Sequence, residues 1–512
     1  MKSGQIKTVT LGGPMDLDHF IAVARYGAEV KFSEEYCRRV NLSRQIVEQW
    51  IEEKRIVYGT TTGFGSLCTE VIGPEQTALL QEYLILSDCT SVGEPLTEEQ
   101  SRAVMLMVLQ NVGQGYSGCR LEVLERYRDF LNAGLSPWAP REGSVGYLSV
   151  EAHMAYVLLG GGRAYFQGEL LEGAEALKRA GIEPLTLRSK EGLALISGTT
   201  SPTALAALAI QDMLKAAKAA DIIAAMSLEA LQGLIRAFDE RVMLVRPHRE
   251  QADTAENVRR ILADSEVIEK AAGSRLQDAM SLRCVPQLHG AAKSILKTAL
   301  ATVETEMNSC CDNPIVWGDL QESEAISACN ADSSYVGIAL DACAIAATNL
   351  AKMSERRNNR LIDGSLSGYP WFLVENPGLN CGLMLPQYVQ AGLLNDMKIL
   401  SCPATVDCIP TCGNQEDYVA MGYNACKKAV EVAEKLEYIL AIELLSVFEA
   451  QRFFGKGMRR SPASASVLEY IGQKVPVIKD DIYLHPHIEF LRQFVHDGEL
   501  IDLVEAVIGE LK

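Results

Sequence analysis

Residues 203–238 read TALAALAIQDMLKAAKAADIIAAMSLEALQGLIRAF, and this stretch decides the fold class. Its apolar residues recur at spacings of three and four, and Ala and Leu, both strong helix formers, dominate it. Segments of the same character are VGIALDACAIAATNLAKMSERR (336–357), LMLPQYVQAGLLNDMKIL (383–400) and CKKAVEVAEKLEYILAIELLSVFEAQRFF (426–454). Long helices that are apolar on most faces pack into bundles, so the sequence predicts a mainly α fold around a central long-helix bundle.

The first 200 residues have a different texture. Short apolar runs alternate there with Gly-rich turns such as YGTTTGFGS (58–66), SVGEPL (91–96) and LLGGGRA (158–164). Glycine clusters between apolar runs are typical of loops. We therefore expect a mixed N-terminal active-site region over residues 1–200 and a central and C-terminal helical bundle over residues 201–512.

The composition argues against some classes of partner. The 512 residues carry a formal net charge of −18, which disfavours nucleic acid or an anionic membrane as the main partner. The N-terminus lacks the continuous apolar run of a signal peptide, and charges interrupt the long apolar segments. We expect a cytoplasmic protein without a metal site, whose 14 cysteines are reduced thiols.

Several polar motifs stand out among the apolar segments. VYGTTTGFG (57–65) places Tyr58 before a Gly-rich loop, where it is either a general base or a core aromatic. SLRCVPQLHG (281–290) places Arg283 among apolar residues, where it needs an anionic partner from a substrate or from a structural salt bridge. CDNPIVW (311–317) and GNQEDYVAMG (413–422) hold Asn313 and Glu416, which are either site residues or members of caps and turns.

Taken together and in this order, the motifs resemble the aromatic amino acid lyase family, and most closely its histidine ammonia-lyases. The resemblance also runs through LSDCTSVGEPL (86–96), GSVG (143–146), EGLALISGTT (191–200) and MSERRNNRLID (353–363), and it covers most of residues 10–450. It implies the mostly α fold of that family, assembled as a homotetramer whose active sites are shared among three subunits.

The resemblance also implies roles for individual residues. Tyr58 would be the base that removes the β-proton of an amino acid substrate. Arg283 would grip the substrate carboxylate, for which the fork of a guanidinium is suited. Glu416 would lie near the substrate ring or amine, and Gln277 and Asn313 would line the site.

Further positions are assigned to the substrate site. Ser197 stands where the family has an Asn, and we also expect Met384 to contact the substrate. Asp88 either accepts a hydrogen bond from a ring N–H of the substrate or is an exposed helix residue. Aromatic faces bind quaternary cations, and three tyrosines are candidates for that role: Tyr147, Tyr335 and Tyr388.

The family's electrophile is the point at which this sequence departs from the pattern. The family forms a methylidene-imidazolone group from Ala-Ser-Gly after GSVG, whereas here Gly146 is followed directly by Tyr147. Either the three residues are deleted from the protein, or they are present as a modified tripeptide that the written sequence omits. Family residues around the site are also replaced, at Ser197, Met280 and Ala331, and these replacements favour a true deletion.

A deletion would restrict the chemistry. An ordinary ammonium loses its own proton to any base before a weakly acidic C–H does, and the resulting amine is a poor leaving group. A trimethylammonium has no N–H and leaves as neutral trimethylamine. We therefore expect a lyase without a cofactor that releases trimethylamine from a histidine betaine, ergothioneine before hercynine, to give thiourocanate. The alternative is a methylidene-imidazolone-dependent histidine or aromatic amino acid ammonia-lyase, with the group formed between Gly146 and Tyr147.

Overall fold

The computed structural model describes residues 3–455 and 457–512, with the side chain of Pro74 left undescribed. Helices dominate and the strands are short, so the predicted mainly α fold is confirmed. The chain divides into two compact units, each built from three stretches: Met1–Ala209, Ala299–Asp341 and Pro403–Lys427 in the first, and Ile210–Thr298, Ala342–Cys402 and Lys428–Lys512 in the second. The expected division at residue 200 stays a prediction.

The helices follow one another along the whole chain. Those that begin before residue 200 are α1 (Leu17–Ala24), α2 (Glu34–Glu52), α3 (Thr77–Asp88), α4 (Glu98–Gly113), α5 (Leu121–Ala133), α6 (Ser149–Leu158), α7 (Gly173–Ala180) and α8 (Glu191–Ile196). The next are α9 (Thr200–Ala230), α10 (Glu240–Leu244), α11 (Arg249–Ile261), α12 (Glu266–Ala271), α13 (Met280–Arg283), α14 (Val285–Met307), α15 (Ser334–Ile362) and α16 (Gly364–Ser367). The last are α17 (Met384–Leu400), α18 (Gly422–Ala450), α19 (Pro462–Gly472), α20 (His485–His496) and α21 (Glu499–Ile508).

The strands of the first unit form small sheets. β1 (Thr8–Leu11) pairs in parallel with β2 (Glu29–Phe32), and β3 (Val92–Pro95) pairs antiparallel with β5 (Pro140–Glu142). A three-stranded antiparallel sheet has the order β4 (Ser136–Pro137), β6 (Arg163–Phe166) and β7 (Glu169–Glu172). β8 (Ile315–Gly318) and β9 (Ser323–Ile326) form an antiparallel hairpin.

Helix starts in the first unit follow from local sequence. Ser33 caps α2 by accepting a hydrogen bond from the backbone N–H of Tyr36. Thr97 and Gln100 form a reciprocal capping box at the start of α4. Each arrangement satisfies backbone donors that have no partner within the helix.

Two helical stretches are long and apolar enough to be tested as membrane spans. The most apolar window of Glu191–Ala230 is wholly buried within the structure, and that of Ser334–Ile362 is 61% buried. Core helices of this length and composition satisfy the same criteria, so these stretches are weak evidence for a membrane.

The long helices of the second unit are linked by buried charges. Arg357 of α15 donates two hydrogen bonds to Glu443 of α18, at 2.6 and 2.9 Å, and neither side chain is exposed. Ser227 of α9 donates to the same carboxylate at 2.6 Å. A bidentate pair of this kind fixes the register of three apolar helices, because either charge left alone in the core is strongly unfavourable.

Replacing Arg357 tests that account. Arg357→Met leaves the carboxylate of Glu443 buried without its cation, and we expect the free energy of unfolding to fall by about 3–5 kcal/mol, measured by urea denaturation. Arg38→Met is the control, because Arg38 is 66% exposed and pairs with Glu35, which is 54% exposed. The control should lose less than about 1 kcal/mol. Equal losses in the two variants would contradict the structural role of the buried pair.

Candidate active site

The first unit contains a cavity of about 940 Å³ that brings together five of the predicted site residues. They are Tyr58, Asp88, Ser197, Asn313 and Glu416. The charged groups among its described lining residues are the two carboxylates, and no lysine, arginine or histidine is among those residues. The cavity is therefore negative when both carboxylates are ionised, which suits a cationic ligand.

Tyr58 lies in the loop that follows α2. Its phenol oxygen accepts a hydrogen bond of 3.0 Å from the backbone N–H of Gly65. Gly65 has φ of +54°, and a Cβ there would lie 2.2 Å from Sγ of Cys412. Glycine is required at this position by both conformation and space. The loop is also held by the hydroxyl of Thr62, which accepts from the N–H of Gly59 at 3.1 Å.

The surroundings of Tyr58 favour its neutral form. Burial raises the pKa of Tyr58 above its ordinary value, and the negative charges of Cys412 and Glu416, when present, act in the same direction. The Gly65 N–H opposes them, because it stabilises the phenolate. A nearby positive charge would lower the pKa of Tyr58, but none of the described residues that line its cavity is a lysine, arginine or histidine.

Glu416 is placed by a tight loop before α18. The backbone N–H of Thr411 donates to the carbonyl oxygen of Glu416, and the Thr411 hydroxyl donates to its Oε2, both at 2.9 Å. The turn between them passes through Cys412, Gly413 and Asn414, which all have positive φ. Tyr147 lines the same cavity as Glu416. The two hydrogen bonds from Thr411 hold Glu416 in place.

Asp88 ends α3 and is half-buried, so it is not an exposed helix residue. The Ser87 hydroxyl donates to its Oδ1 at 3.2 Å. Burial raises the pKa of Asp88, Ser87 opposes that shift, and the negative charge of Glu416 adds to it. A second carboxylate in the cavity is thus electrostatically coupled to Glu416, which is consistent with a ligand that donates hydrogen bonds.

Asn313 and Ser197 are joined through the backbone. The N–H of Asn313 donates to the Ser197 hydroxyl at 3.1 Å, and Oδ1 of Asn313 accepts from the N–H of Ala328 at 2.9 Å. The side chain of Asn313 is therefore already engaged by the protein. Asn111, which sequence reasoning missed, donates to the Ser197 carbonyl at 3.1 Å and accepts from the Cys311 N–H at 2.7 Å.

A buried ion pair supports this wall of the cavity. Nζ of Lys190 lies 2.7 Å from Oδ2 of Asp312, and both side chains are buried. The other carboxylate oxygen of Asp312 accepts from the N–H of Asn313 at 2.6 Å. Lys190 lies between Ser189 and Glu191 in the sequence, so its neighbours do not mark it as buried, and its partner is 122 residues away along the chain.

Three predicted site residues lie outside this cavity. Arg283 and Gln277 line a separate cavity of about 760 Å³ in the second unit, together with Arg236 and Arg275. Arg283 there donates from Nε to the carbonyl oxygen of Asp278 at 3.0 Å. Met384 begins α17 and is not among the described residues that line either cavity.

The three tyrosines proposed for a quaternary cation are also separated. Tyr147 lines the first cavity, whereas Tyr335 and Tyr388 are 77% and 68% exposed at the surface of the chain. A single chain therefore does not assemble an aromatic cage from these three residues.

The family and its members can now be compared with this chain. The family model of the aromatic amino acid lyases matches residues 15–473. Histidine ammonia-lyase of Symbiobacterium thermophilum is 43% identical over 510 residues, which are 99% of this chain and 100% of that protein. Histidine ammonia-lyase of Caldanaerobacter subterraneus subsp. tengcongensis is 40% identical over 98% of both chains.

Solved structures agree with that likeness. The crystal structure of histidine ammonia-lyase from Trypanosoma cruzi has a TM-score of 0.90 at 33% identity, and the match covers 98% of this chain and 95% of that one. Ergothionase from Treponema denticola, solved with desmethyl-ergothioneine sulfonic acid, has a TM-score of 0.89 at 26% identity, over 97% of this chain and 100% of that one.

These comparisons correct two expectations. The elimination of trimethylamine from a betaine is wrong as the main function, because curated relatives at 40–43% identity over nearly the whole chain are histidine ammonia-lyases. The expectation of no cofactor is wrong for the same reason, since the comparisons favour the methylidene-imidazolone alternative. Of the replaced neighbours that suggested lost chemistry, Ser197 and Ala331 line the cavity of Tyr58, whereas Met280 is 64% exposed and is not among the described lining residues.

The segment in which the methylidene-imidazolone group would form has a different sequence and contains a tight turn. Gly146 is bonded directly to Tyr147, and Leu148, with φ of +77° and ψ of −75°, is the centre of a γ-turn closed by the Ser149 N–H and the Tyr147 carbonyl oxygen at 3.2 Å. The residues present do not include the Ala-Ser-Gly from which the group is made, so they do not fit it. We therefore derive no catalytic step through the group.

The matched motifs, the cavity that gathers Tyr58, Asn313 and Glu416, and identity above 40% along the full length lead to one conclusion. The chain belongs to the aromatic amino acid lyase family and is a carbon–nitrogen lyase.

Proposed function

We propose that this protein is an ammonia-lyase that eliminates the α-amine of an aromatic amino acid, histidine first among them, as a step of histidine degradation. The observation that carries the proposal is 43% identity to a histidine ammonia-lyase over the whole of both chains. The product would be the corresponding α,β-unsaturated acid, with the proton taken from the β-carbon and the amine leaving from the α-carbon.

The cavity supports histidine over a substrate with a phenyl ring. An imidazole offers N–H donors, and carboxylates are acceptors. Asp88 and Glu416 both line the cavity of Tyr58, so a ring with N–H groups finds acceptors there that a phenyl ring cannot use. The negative cavity also attracts the ammonium group of an amino acid.

Roles within the site follow from these contacts. Tyr58 acts as the base, since it lies in the cavity and its phenolate is stabilised by the Gly65 N–H. Glu416 and Asp88 orient the substrate ring or amine. Ser197 and Asn313 line the same cavity. Gln277 and Met384 are proposed to contact the substrate in the assembled enzyme.

Arg283 needs a different explanation, because it lines a separate cavity. The proposal is that the enzyme is a homotetramer in which one subunit supplies Tyr58 and another supplies Arg283 to the same active site. Arg283 then binds the substrate carboxylate with its guanidinium fork. The loop beside it supports a contact between subunits, since the side chain of Leu276 in that cavity is fully exposed in the single chain.

Subunit mixing tests shared sites. Tyr58→Phe and Arg283→Met should each be inactive as pure oligomers. Oligomers refolded from both variants together should regain a fraction of parental ammonia release, because some sites then combine an intact Tyr58 with an intact Arg283. Mixing either variant with itself is the control. Failure to regain activity, in oligomers shown by light scattering to be mixed, would contradict sites built from two subunits.

Removal of the base tests the assignment of Tyr58. We expect Tyr58→Phe to lower kcat for ammonia release from histidine by a factor of about 100 or more, the usual contribution of a general base. Binding of histidine, measured by calorimetry, should be largely retained because the ring stays in place. Tyr483→Phe is the control: it changes an exposed tyrosine and should leave kcat and histidine binding unchanged. Near-parental turnover in Tyr58→Phe would exclude it as the base.

The charge of Glu416 should be visible in the pH profile. The negative charge of Glu416 raises the pKa of Tyr58, and catalysis requires the phenolate, so kcat/KM should rise with pH as Tyr58 ionises. Glu416→Gln removes that charge and lowers the pKa of Tyr58, so the rising limb should move to lower pH even though the rate falls. Glu70→Gln removes an exposed carboxylate near the same loop and should leave the limb in place. A limb that moves to higher pH in Glu416→Gln would contradict the coupling.

Two measurements separate the alternatives that the sequence raised. Ammonia and the absorbance of imidazole acrylate should appear with histidine, and release of trimethylamine from ergothioneine in place of ammonia from histidine would overturn the proposal. The intact mass tests for the methylidene-imidazolone group. A mass that exceeds that of the 512 residues by Ala, Ser and Gly less two waters would show the group between Gly146 and Tyr147. A mass equal to that of the 512 residues would show that the group is not formed there.

A further inference from the structure

The guanidinium of Arg283 keeps its positive charge available within the second unit. Its Nε donates to the backbone carbonyl oxygen of Asp278 at 3.0 Å. Among the residues that the structure describes, no carboxylate pairs with Arg283 and its two Nη groups make no hydrogen bond. The structural salt bridge considered as an alternative for this arginine is therefore not formed by that part of the chain. With Nε occupied, the two Nη groups remain as donors for an anion.

Asp278 lies in the loop before α13, the short helix that ends at Arg283, and its side chain is 2% exposed. Its Oδ2 accepts from the backbone N–H of Leu234, and its Oδ1 accepts from Nε of Arg275, both at 2.6 Å. Both carboxylate oxygens thus have partners, as a buried charge requires. Because Arg283 binds the carbonyl oxygen and not the carboxylate, Asp278 holds that arginine without neutralising it.

Arg275 extends this connection to the end of α9. Its Nη2 donates to the carbonyl oxygens of Leu231 and Gln232, which directly follow the helix, at 3.2 and 2.9 Å. A cation is favourable there because carbonyl groups at the end of a helix lack partners within it. The backbone also comes close to Asp278 at Gly233, where a Cβ would lie 3.2 Å from Oδ2. The turn after α9 and the loop before α13 are therefore joined by one buried carboxylate.

We propose that Asp278 is a positioning residue, which fixes the guanidinium of Arg283 so that its two Nη groups meet the substrate carboxylate. The inference rests on the proposed function, since it takes Arg283 as the group that binds this carboxylate. It adds the edge at which the anion is held: the Nη1–Nη2 edge is used, because Nε is bonded to Asp278. A guanidinium that is already fixed loses less conformational entropy when the substrate binds.

Asp278→Ala removes the carboxylate and leaves the carbonyl oxygen that Arg283 uses. The loop before α13 then loses its bonds to Leu234 and Arg275. We expect KM for histidine to rise about tenfold, as for the loss of one hydrogen bond to a charged group, and kcat to fall less than about threefold, because the substrate carboxylate is bound alike before and during the reaction. Asp278→Asn keeps the size and one acceptor oxygen, and its KM should rise by a smaller factor. Unchanged KM in whichever of the two variants folds would overturn the proposal.

Asp239→Ala is the matched control. Asp239 caps α10 in the same unit and likewise accepts from a backbone N–H and from a guanidinium, both of Arg241, at 2.9 and 2.6 Å. It is not among the described residues that line the cavity of Arg283 or that of Tyr58. We expect KM to stay at the parental value in this variant. An equal rise of KM in both alanine variants would overturn the proposal, because it would reflect general loosening of the unit.

A ligand without a carboxylate separates positioning of Arg283 from a structural effect on the whole site. Histamine has the ring and the amine of histidine but lacks its carboxylate. In the Tyr58→Phe background, which we expect to bind histidine without turning it over, Asp278→Ala should weaken histidine binding about tenfold in calorimetry and leave histamine binding unchanged. Equal weakening of both ligands would overturn the proposal.

A measurement without substrate keeps the result separate from the proposed function. Amide hydrogen exchange reports on the bond from the Leu234 N–H to Asp278, and we expect exchange in peptides that cover residues 231–236 to be about tenfold faster in Asp278→Ala. Faster exchange, with no ammonia released from histidine by the parent, would refute the proposed function alone. Ammonia release by the parent, with unchanged exchange and unchanged KM in Asp278→Ala, would refute the role of Asp278 alone.

Discussion

The ion pair between Lys190 and Asp312 is the constraint on which the wall of the active-site cavity depends. Both side chains are buried, so each charge requires the other to offset the cost of leaving water. Lys190 has a left-handed backbone conformation and caps α8, and Ser197 follows the other end of the same helix. Because Asp312 also binds the Asn313 N–H, and Asn313 binds the Ser197 hydroxyl, both ends of α8 are fixed to one short segment. A cavity wall made of polar groups is held rigid in this way without exposing the pair to the ligand.

The cavity has a negative charge because basic side chains of this unit pair with carboxylates outside it. Lys190 is committed to Asp312, and Arg120 donates twice to the buried carboxylate of Glu191, at 2.7 and 2.9 Å. The described lining residues are left with Asp88 and Glu416 as their charged groups. The pKa values of Tyr58 and Asp88 are both raised as a result, with burial as the larger cause.

Much of the fold could be predicted from the sequence, because a long helix with a periodic apolar pattern forms whatever the details of its packing. The segments that predicted long helices coincide largely with α9, α15, α17 and α18, although α9 ends at Ala230 and α18 at Ala450, before the segments 203–238 and 426–454 end. Of the site, the residues carried by short motifs next to loops of the first unit share one cavity, as Tyr58, Asn313 and Glu416 do. Arg283 does not line that cavity. A sequence motif does not indicate in which unit, or in which copy of the chain, its partners in the site lie.

Two features were beyond sequence reasoning for a physical reason. The partner of Lys190 is more than a hundred residues away, and the pairing of buried charges depends on tertiary structure. Tyr147 was judged by its aromatic face, but the backbone beside it forms a γ-turn at Leu148, a conformation rare for a leucine and not indicated by local sequence. The replaced residues were interpreted as a loss of chemistry. Ser197 and Ala331 do line the cavity, but 43% identity to a histidine ammonia-lyase over the whole chain outweighs these replacements.

A negative cavity around a tyrosine base links binding to activation. Burial and the negative charge of Glu416 raise the pKa of Tyr58, and so favour the protonated form that cannot act as a base. A cationic ligand that enters the cavity compensates that charge, and opposite charges at close range in a poorly solvated site favour the phenolate strongly. On the proposed function, the ammonium group of the substrate thus lowers the pKa of the base that acts on the neighbouring carbon. The positive charge that the cavity walls lack is then supplied by the molecule on which the enzyme acts.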